Sequence, residues 1–170
     1  NKCNQNLWVY TADCMPIFIA DKRTRNVGAL HCGRKGLEKN IIKKLLKIFD
    51  NLGTSRDDLL IAIGPAISKK HYLIDKKTLK EFYKKAEKKK NTINLTFIEK
   101  DSHFNYSSHL KEHNSNKLDL KKFAFRQLLN EKIPYTNIDI SNLCTYELEN
   151  EFNSWRRNKT ISRQWNFICS

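Results

Sequence analysis

The sequence predicts an α+β fold in which a mixed β-sheet carries flanking helices. Two observations point to it. Short apolar runs at residues 7–10, 16–20, 27–31, 59–64, 95–99, 138–140 and 163–168 alternate with amphipathic stretches long enough to be helices. The runs at 16–20 and 27–31 are separated only by the polar stretch Asp21-Lys-Arg-Thr-Arg-Asn26, which reads as a hairpin, so part of the sheet is antiparallel.

Leu7-Trp-Val-Tyr10 reads as a buried strand that enters Thr11-Ala-Asp-Cys14. With Lys22 and Arg23 at the centre of the hairpin turn, Cys14 falls directly opposite His31, with Cβ atoms about 5 Å apart. A thiol and an imidazole so placed can share a metal ion or act as a nucleophile–base pair, and the chemistry is expected here. Gly33 and Gly36 bracket Arg34-Lys35 before a helix expected over residues 37–52, whose apolar positions form one face and which Gly53 ends. That Gly-containing turn can hold an anion on its backbone N–H groups, and serves equally as a tight strand-to-helix turn.

Residues 59–64 are expected to form a central strand stopped by Pro65. Asp75 caps a helix expected over residues 76–89. A further strand is expected at 95–99. Residues 102–116 read as a polar surface loop, because His103, His109 and His113 lack a companion carboxylate or Cys pattern. A helix over 118–131 is closed by Pro134, and 138–140 is a short strand feeding Cys144-Thr-Tyr146. The last segment reads as a strand or bend around Trp155-Arg-Arg157, a polar turn and a final strand. Arg156 and Arg157 offer planar forks for phosphate or carboxylate beside the face of Trp155, or are plain surface arginines.

At 170 residues, with 39% hydrophobic and 11% aromatic residues, the chain is a single globular domain, residues 1–170. No apolar run is long enough for a membrane span and no signal peptide is visible, so a cytoplasmic protein without a membrane partner is expected. Lys and Arg exceed Asp and Glu by enough to give a net charge of +14. The lysines are scattered, and no zinc knuckle, Arg-rich arm or RNP-like motif accompanies them, so nucleic acid is not expected as the partner. Basic residues near the site instead favour an anionic small molecule, and Arg34, Lys35, Arg156 and Arg157 are the expected substrate-binding residues. Five cysteines without any CxxC fit free thiols in a reducing compartment.

Six blocks then occur in order: Thr11-Ala-Asp-Cys14, His31-Cys-Gly-Arg-Lys-Gly36, Ile63-Gly-Pro-Ala-Ile67 with Tyr72, Leu118-Asp-Leu120, Cys144-Thr-Tyr146 and Ser154-Trp-Arg-Arg157. Through them nearly the whole chain resembles the multi-copper polyphenol oxidase laccase-domain family, also described as a purine nucleoside phosphorylase or peptidoglycan editing factor family. The resemblance implies a four-layer α/β/β/α sandwich with mixed β-sheets, of cysteine-hydrolase-like type. It implies zinc, with copper as the other option, held by Cys14, His31 and a further His from an upstream segment. The chain starts a few residues before the first block, so it is expected to lack its N-terminal third and that ligand.

The resemblance further implies phosphorolysis of adenosine, inosine, guanosine or methylthioadenosine, and adenosine deamination, with Cys14 and His31 as the catalytic residues. Two other readings are a Cys–His hydrolase acting on a cytosolic peptidoglycan precursor, and a homologue that has lost catalysis. The family usually carries His-Ala-Gly-Trp-Arg-Gly where this chain has His31-Cys-Gly-Arg-Lys-Gly36. An aromatic is lost and a guanidinium becomes an ammonium, which implies a changed substrate preference. A four-copper laccase is not expected, because five histidines in all are too few.

Overall fold

The computed structural model describes residues 5–87 and 116–170. Strand β1 (Asn6–Thr11) leads into the hairpin of β2 (Met15–Asp21) and β3 (Val27–Cys32). Helices α1 (Arg34–Glu38) and α2 (Ile41–Asn51) follow, then β4 (Leu59–Ile63) and α3 (Lys76–Glu87). The remainder is α4 (Leu120–Asn130), β5 (Ile138–Ile140), α5 (Trp155–Asn158) and β6 (Gln164–Cys169). The strands form a four-stranded sheet in the order β3-β2-β4-β5 and a two-stranded sheet of β1 with β6. All pairs are antiparallel except β4 with β5, so the α+β class with a mixed sheet is as the sequence predicts.

Period-two burial sets the layers. Met15, Ile17 and Ile19 of β2, Leu30 and Cys32 of β3, and Leu59, Ile61 and Ile63 of β4 are buried on one face of the larger sheet. They pack with Leu37, Ile42, Leu46 and Phe49 of α1 and α2 and with Leu120, Ala124 and Leu128 of α4 in one core. On the opposite face, β1 and β6 lie against β3, with β1 reaching β2 as well. No helix among the described residues is long and apolar enough to cross a membrane.

Asp21 locks the hairpin. Its Oδ1 accepts from the N–H groups of Arg23 and Thr24, and its Oδ2 accepts from the hydroxyls of Thr24 and Thr54, each of the latter at 2.6 Å. Burial alone would raise this carboxyl's pKa, but the hydrogen bonds from Thr24, Thr54 and Arg23 hold it well below the usual carboxylate range. The turn also takes a left-handed residue, Arg25, at φ 59°. These features move the turn centre by one residue, from the expected Lys22–Arg23 pair to between Arg23 and Thr24, and the observed partners are Met15 with Cys32 and Pro16 with His31. Cys14 and His31 are therefore not directly opposed.

Other expectations are corrected locally. The helix over 37–52 is two helices, broken at Asn40, whose left-handed φ of 54° an asparagine tolerates better than most side chains. The segment 154–158 is a helical turn rather than a strand, because the Ser154 side chain accepts from the Arg157 N–H and caps it. Strand β1 is only half buried: Trp8 and Tyr10 are 53% and 57% exposed. The expected cap at Asp75 holds, its carboxylate accepting from Thr78 N–H, and Asp119 caps α4 in the same way by accepting from Lys122 N–H. The strand expected at 95–99 and the residues His103, His109 and His113 lie outside the described residues.

Candidate functional site

Cys14 ends the crossing from β1 to β2, just before the first paired residue of the hairpin. Continuing the register by one step sets it opposite Gly33, and a Cβ built on Gly33 would lie 2.5 Å from the Cys14 sulfur. The thiol thus occupies space that any side chain at position 33 would take. His31 is two residues from Gly33 on the same strand, so its side chain shares the face of Cys14 as a diagonal neighbour. Diagonal pairs of this kind have Cα atoms roughly 7–8 Å apart, within reach of a shared ligand. A slip of the register by two residues keeps each side chain on its face, which is why thiol and imidazole still share one.

Burial raises the Cys14 pKa, the nearby Asp13 charge raises it further, and Arg163 pulls it back down. For His31 the directions are reversed. Partial burial lowers its pKa, a hydrogen bond with the Tyr10 backbone opposes this, and Arg163 lowers it again. At neutral pH the pair is therefore a thiol beside a neutral imidazole. Cys32, one strand position from His31, points the other way into the core, and burial followed by the nearness of Cys14 pushes it up to about 12.

Asp13 builds the wall behind the thiol. Its Oδ1 accepts from the Thr145 hydroxyl at 2.9 Å and the Ser154 hydroxyl at 2.7 Å, and its Oδ2 accepts from the Arg156 N–H at 2.7 Å. Thr145 and Ser154 are fully buried. One carboxylate thereby fastens three of the six sequence blocks together, and its backbone carbonyl accepts from Ile67 N–H in a fourth. With Asp13 holding the α5 turn, the Arg156 guanidinium lies 5.1 Å from the Tyr72 ring centre and donates to the Leu73 carbonyl. Arg34 pairs with Glu38 and hydrogen-bonds Tyr72. Burial first, then Cys14, raise the Tyr72 pKa, while Arg34 and Arg156 oppose them.

The expected site residues separate on this geometry. Cys14, His31, Arg34 and Arg156 gather around Tyr72 and Arg163. Arg157 does not present a free fork: it donates to the carbonyls of Thr145, Tyr146 and Phe152 at 2.7–2.9 Å and pairs with Glu149. Its guanidinium closes the loop between β5 and α5. Lys35 is exposed on α1. Reading the sequence missed Asp13, Gly33 and Arg163. Asp13 stands inside the first block next to Cys14, and its three partners fall in two other blocks, which was the available signal.

Cys14 and His31 are a sulfur and a nitrogen donor of the kind zinc and copper(I) take. Among the described residues, however, no group of three or more His, Cys, Asp or Glu stands together to hold a metal ion. The described residues thus supply two donors of such a set.

A family model described as multi-copper polyphenol oxidoreductase laccase matches residues 1–170. A protein of Synechocystis named a purine nucleoside phosphorylase is 29% identical over 174 residues, covering 98% of this chain. One of Borreliella burgdorferi with the same name is 32% identical and covers 89% of the chain. The chain spans 64% and 58% of these two relatives. Among solved structures, YlmD from Geobacillus stearothermophilus superposes with a TM-score of 0.77 at 26% identity, covering 96% of this chain and 56% of its own. YfiH of Bacillus licheniformis gives 0.74 at 25% identity.

Proposed function

The chain belongs to the multi-copper polyphenol oxidoreductase laccase family, and within it we propose that the Cys14–His31 site serves phosphorolysis of a purine nucleoside in the cytoplasm. The observation that carries the proposal is the cluster of three guanidinium groups, Arg34, Arg156 and Arg163, set around an uncharged thiol and imidazole. Inorganic phosphate is a doubly charged co-substrate, and planar guanidinium forks are suited to it. The names of the Synechocystis and Borreliella relatives support the same reading.

In this reading a phosphate oxygen attacks C1′ of the sugar as the C1′–N9 bond breaks, and the departing purine takes up a proton. Arg156 and Arg34 hold the phosphate, each with N–H donors to spare beyond those already engaged. Tyr72, kept protonated by burial, offers an O–H donor toward the same space. Zinc, or copper, forms part of the proposal: Cys14 and His31 would be two of its ligands, and the third would be the upstream His that the family resemblance implies. A neutral imidazole is the ligating form, and the thiol gives up its proton to bind. The charge state of the pair argues against the second reading, a preformed thiolate–imidazolium nucleophile for amide hydrolysis.

The test is metal analysis of the purified protein combined with adenosine and phosphate turnover and separation of products. Adenine with ribose 1-phosphate, dependent on phosphate and lost in Cys14→Ala, is the expected outcome. Inosine formed without phosphate would instead mark a deaminase. Neither product with any purine nucleoside would overturn the reading.

A further inference from the structure

The outer face of the β1–β6 sheet turns four aromatic rings to water. In an antiparallel sheet with one wet face, the residues pointing outward are normally polar. Here the four central outward positions are Trp8, Tyr10, Trp165 and Phe167, which are 53%, 57%, 69% and 54% exposed. The register pairs Trp8 with Phe167 and Tyr10 with Trp165, and the rings form a continuous ladder with centroids 4.7 to 6.2 Å apart. The inward positions are Leu7, Val9 and Ile168 together with Thr11, Gln164 and Asn166, whose amide donates to the Val9 carbonyl and the Thr11 hydroxyl. Four such rings expose apolar area on the order of 400 Å², at the level where a patch marks an interaction site.

A second apolar surface lies on the inner side of β6, where Ile168 faces away from the ladder. Phe18, Leu60, Ala62 and Ile168 line a groove over β2, β4 and β5 that Thr136, Asn137 and Asp139 edge with polar groups, and Leu60 is 46% exposed. The four-stranded sheet is thus roofed by β1 and β6 at its β3 side, with apolar side chains bare at its β4 side. A two-stranded sheet is marginal by itself, and more strands or a packed layer are what normally stabilise one. The third observation is length: the chain spans 64% of the Synechocystis relative while matching 98% of itself to it. The relatives therefore carry over a third of their length with no counterpart in these residues.

We propose that the aromatic ladder and the adjoining groove form one docking surface for a polypeptide layer, the counterpart of the length that the relatives carry beyond this chain. The occupant lays apolar side chains on the four rings and fills the groove over β4. A net charge of +14 works against the alternative occupant, a second copy of the chain. The inference stands apart from the phosphorylase reading and is tested without any activity measurement.

The test compares the 170-residue chain with a fusion that adds the unmatched segment of the Synechocystis relative, both in a Trp155→Phe background so that only Trp8 and Trp165 report. Light scattering gives the mass, acrylamide quenching gives ring exposure, and melting is followed by circular dichroism. The expected result is a monomeric chain with freely quenched tryptophans and a fusion in which the quenching constant falls about threefold as the rings are covered. The paired substitution Trp8→Ser and Trp165→Ser should barely move the melting temperature of the chain alone and should lower that of the fusion by several degrees. Equal quenching in both proteins, equal effects of the serines, or a dimeric chain that already shields its tryptophans would overturn the proposal. If the fusion does not fold, the segment added in trans decides: a blue shift of the Trp8 and Trp165 emission supports the surface, and none at micromolar concentration overturns it.

Discussion

Replacing Asp13 by Asn tests the claim that one carboxylate assembles the site. The amide keeps the size of the side chain, and its oxygen can still accept from the hydroxyls of Thr145 and Ser154. Its NH2 group then stands where Oδ2 accepted from the Arg156 N–H at 2.7 Å, so a donor faces a donor. Losing one charge-assisted bond costs roughly 1.5–3 kcal/mol, and the two remaining bonds weaken when their acceptor becomes neutral. About 3 kcal/mol in total corresponds to a melting temperature lower by roughly 6–12 °C for a domain of this size. A second readout separates placement from mere stability. The Asp13 charge helps to raise the Cys14 pKa, so Asp13→Asn should move the pH midpoint of Cys14 alkylation downward, with the modified peptide identified by mass spectrometry. A variant that melts within about 2 °C of the parent, with an unmoved Cys14 midpoint, would refute the reasoning.

Three further outcomes follow from the same geometry. Gly33→Ala puts a methyl group 2.5 Å from the Cys14 sulfur, so the proposed phosphorolysis should fall on the order of 10²-fold while the circular dichroism spectrum is kept. The two adjacent arginines should part company. Arg156→Ala should raise KM for phosphate with little change in melting, whereas Arg157→Ala, which strips three carbonyls of their donors, should cost roughly 2–4 kcal/mol in denaturant unfolding. Asp21 carries a pH signature. Its folded pKa is depressed, so its contribution is full above the ordinary carboxylate pKa of about 4 and fades as pH falls below it. Urea midpoints should therefore drop between about pH 4 and pH 2, and Asp21→Asn should flatten that drop.

The fold class and the thiol–imidazole pair were legible because they depend on alternation, which local sequence records. The runs at 16–20 and 27–31 state which side chains share a face, and that survived the displaced register. The displacement itself was not legible, since it arises from Thr54, more than thirty residues away, donating to Asp21 at the hairpin turn. The break at Asn40 was masked by apolar positions that keep helical spacing on both sides of it. Trp155-Arg-Arg157 read as a strand or bend because nothing local reveals that Ser154 would cap a turn while its own hydroxyl is held by Asp13. Arg156 and Arg157 look identical in the sequence. Which of them is left with free donors is decided by the path of the chain from Thr145 to Phe152.

The bonds of Asp13 also set an order of events in folding. They join residues 132, 141 and 143 positions apart, and the β1–β6 ladder joins Asn6 to Cys169. Contacts this distant form late, because closing so long a loop is entropically costly until other structure has shortened it. The hairpin, α1, α2 and β4 need only residues up to about 63, and they can assemble while the chain is still being made. The Asp13 network cannot. Until Thr145, Ser154 and Arg156 have left the ribosome, the thiol of Cys14 has no wall behind it. A chain that stops before Thr145 would accordingly keep the hairpin and its helices without the candidate site.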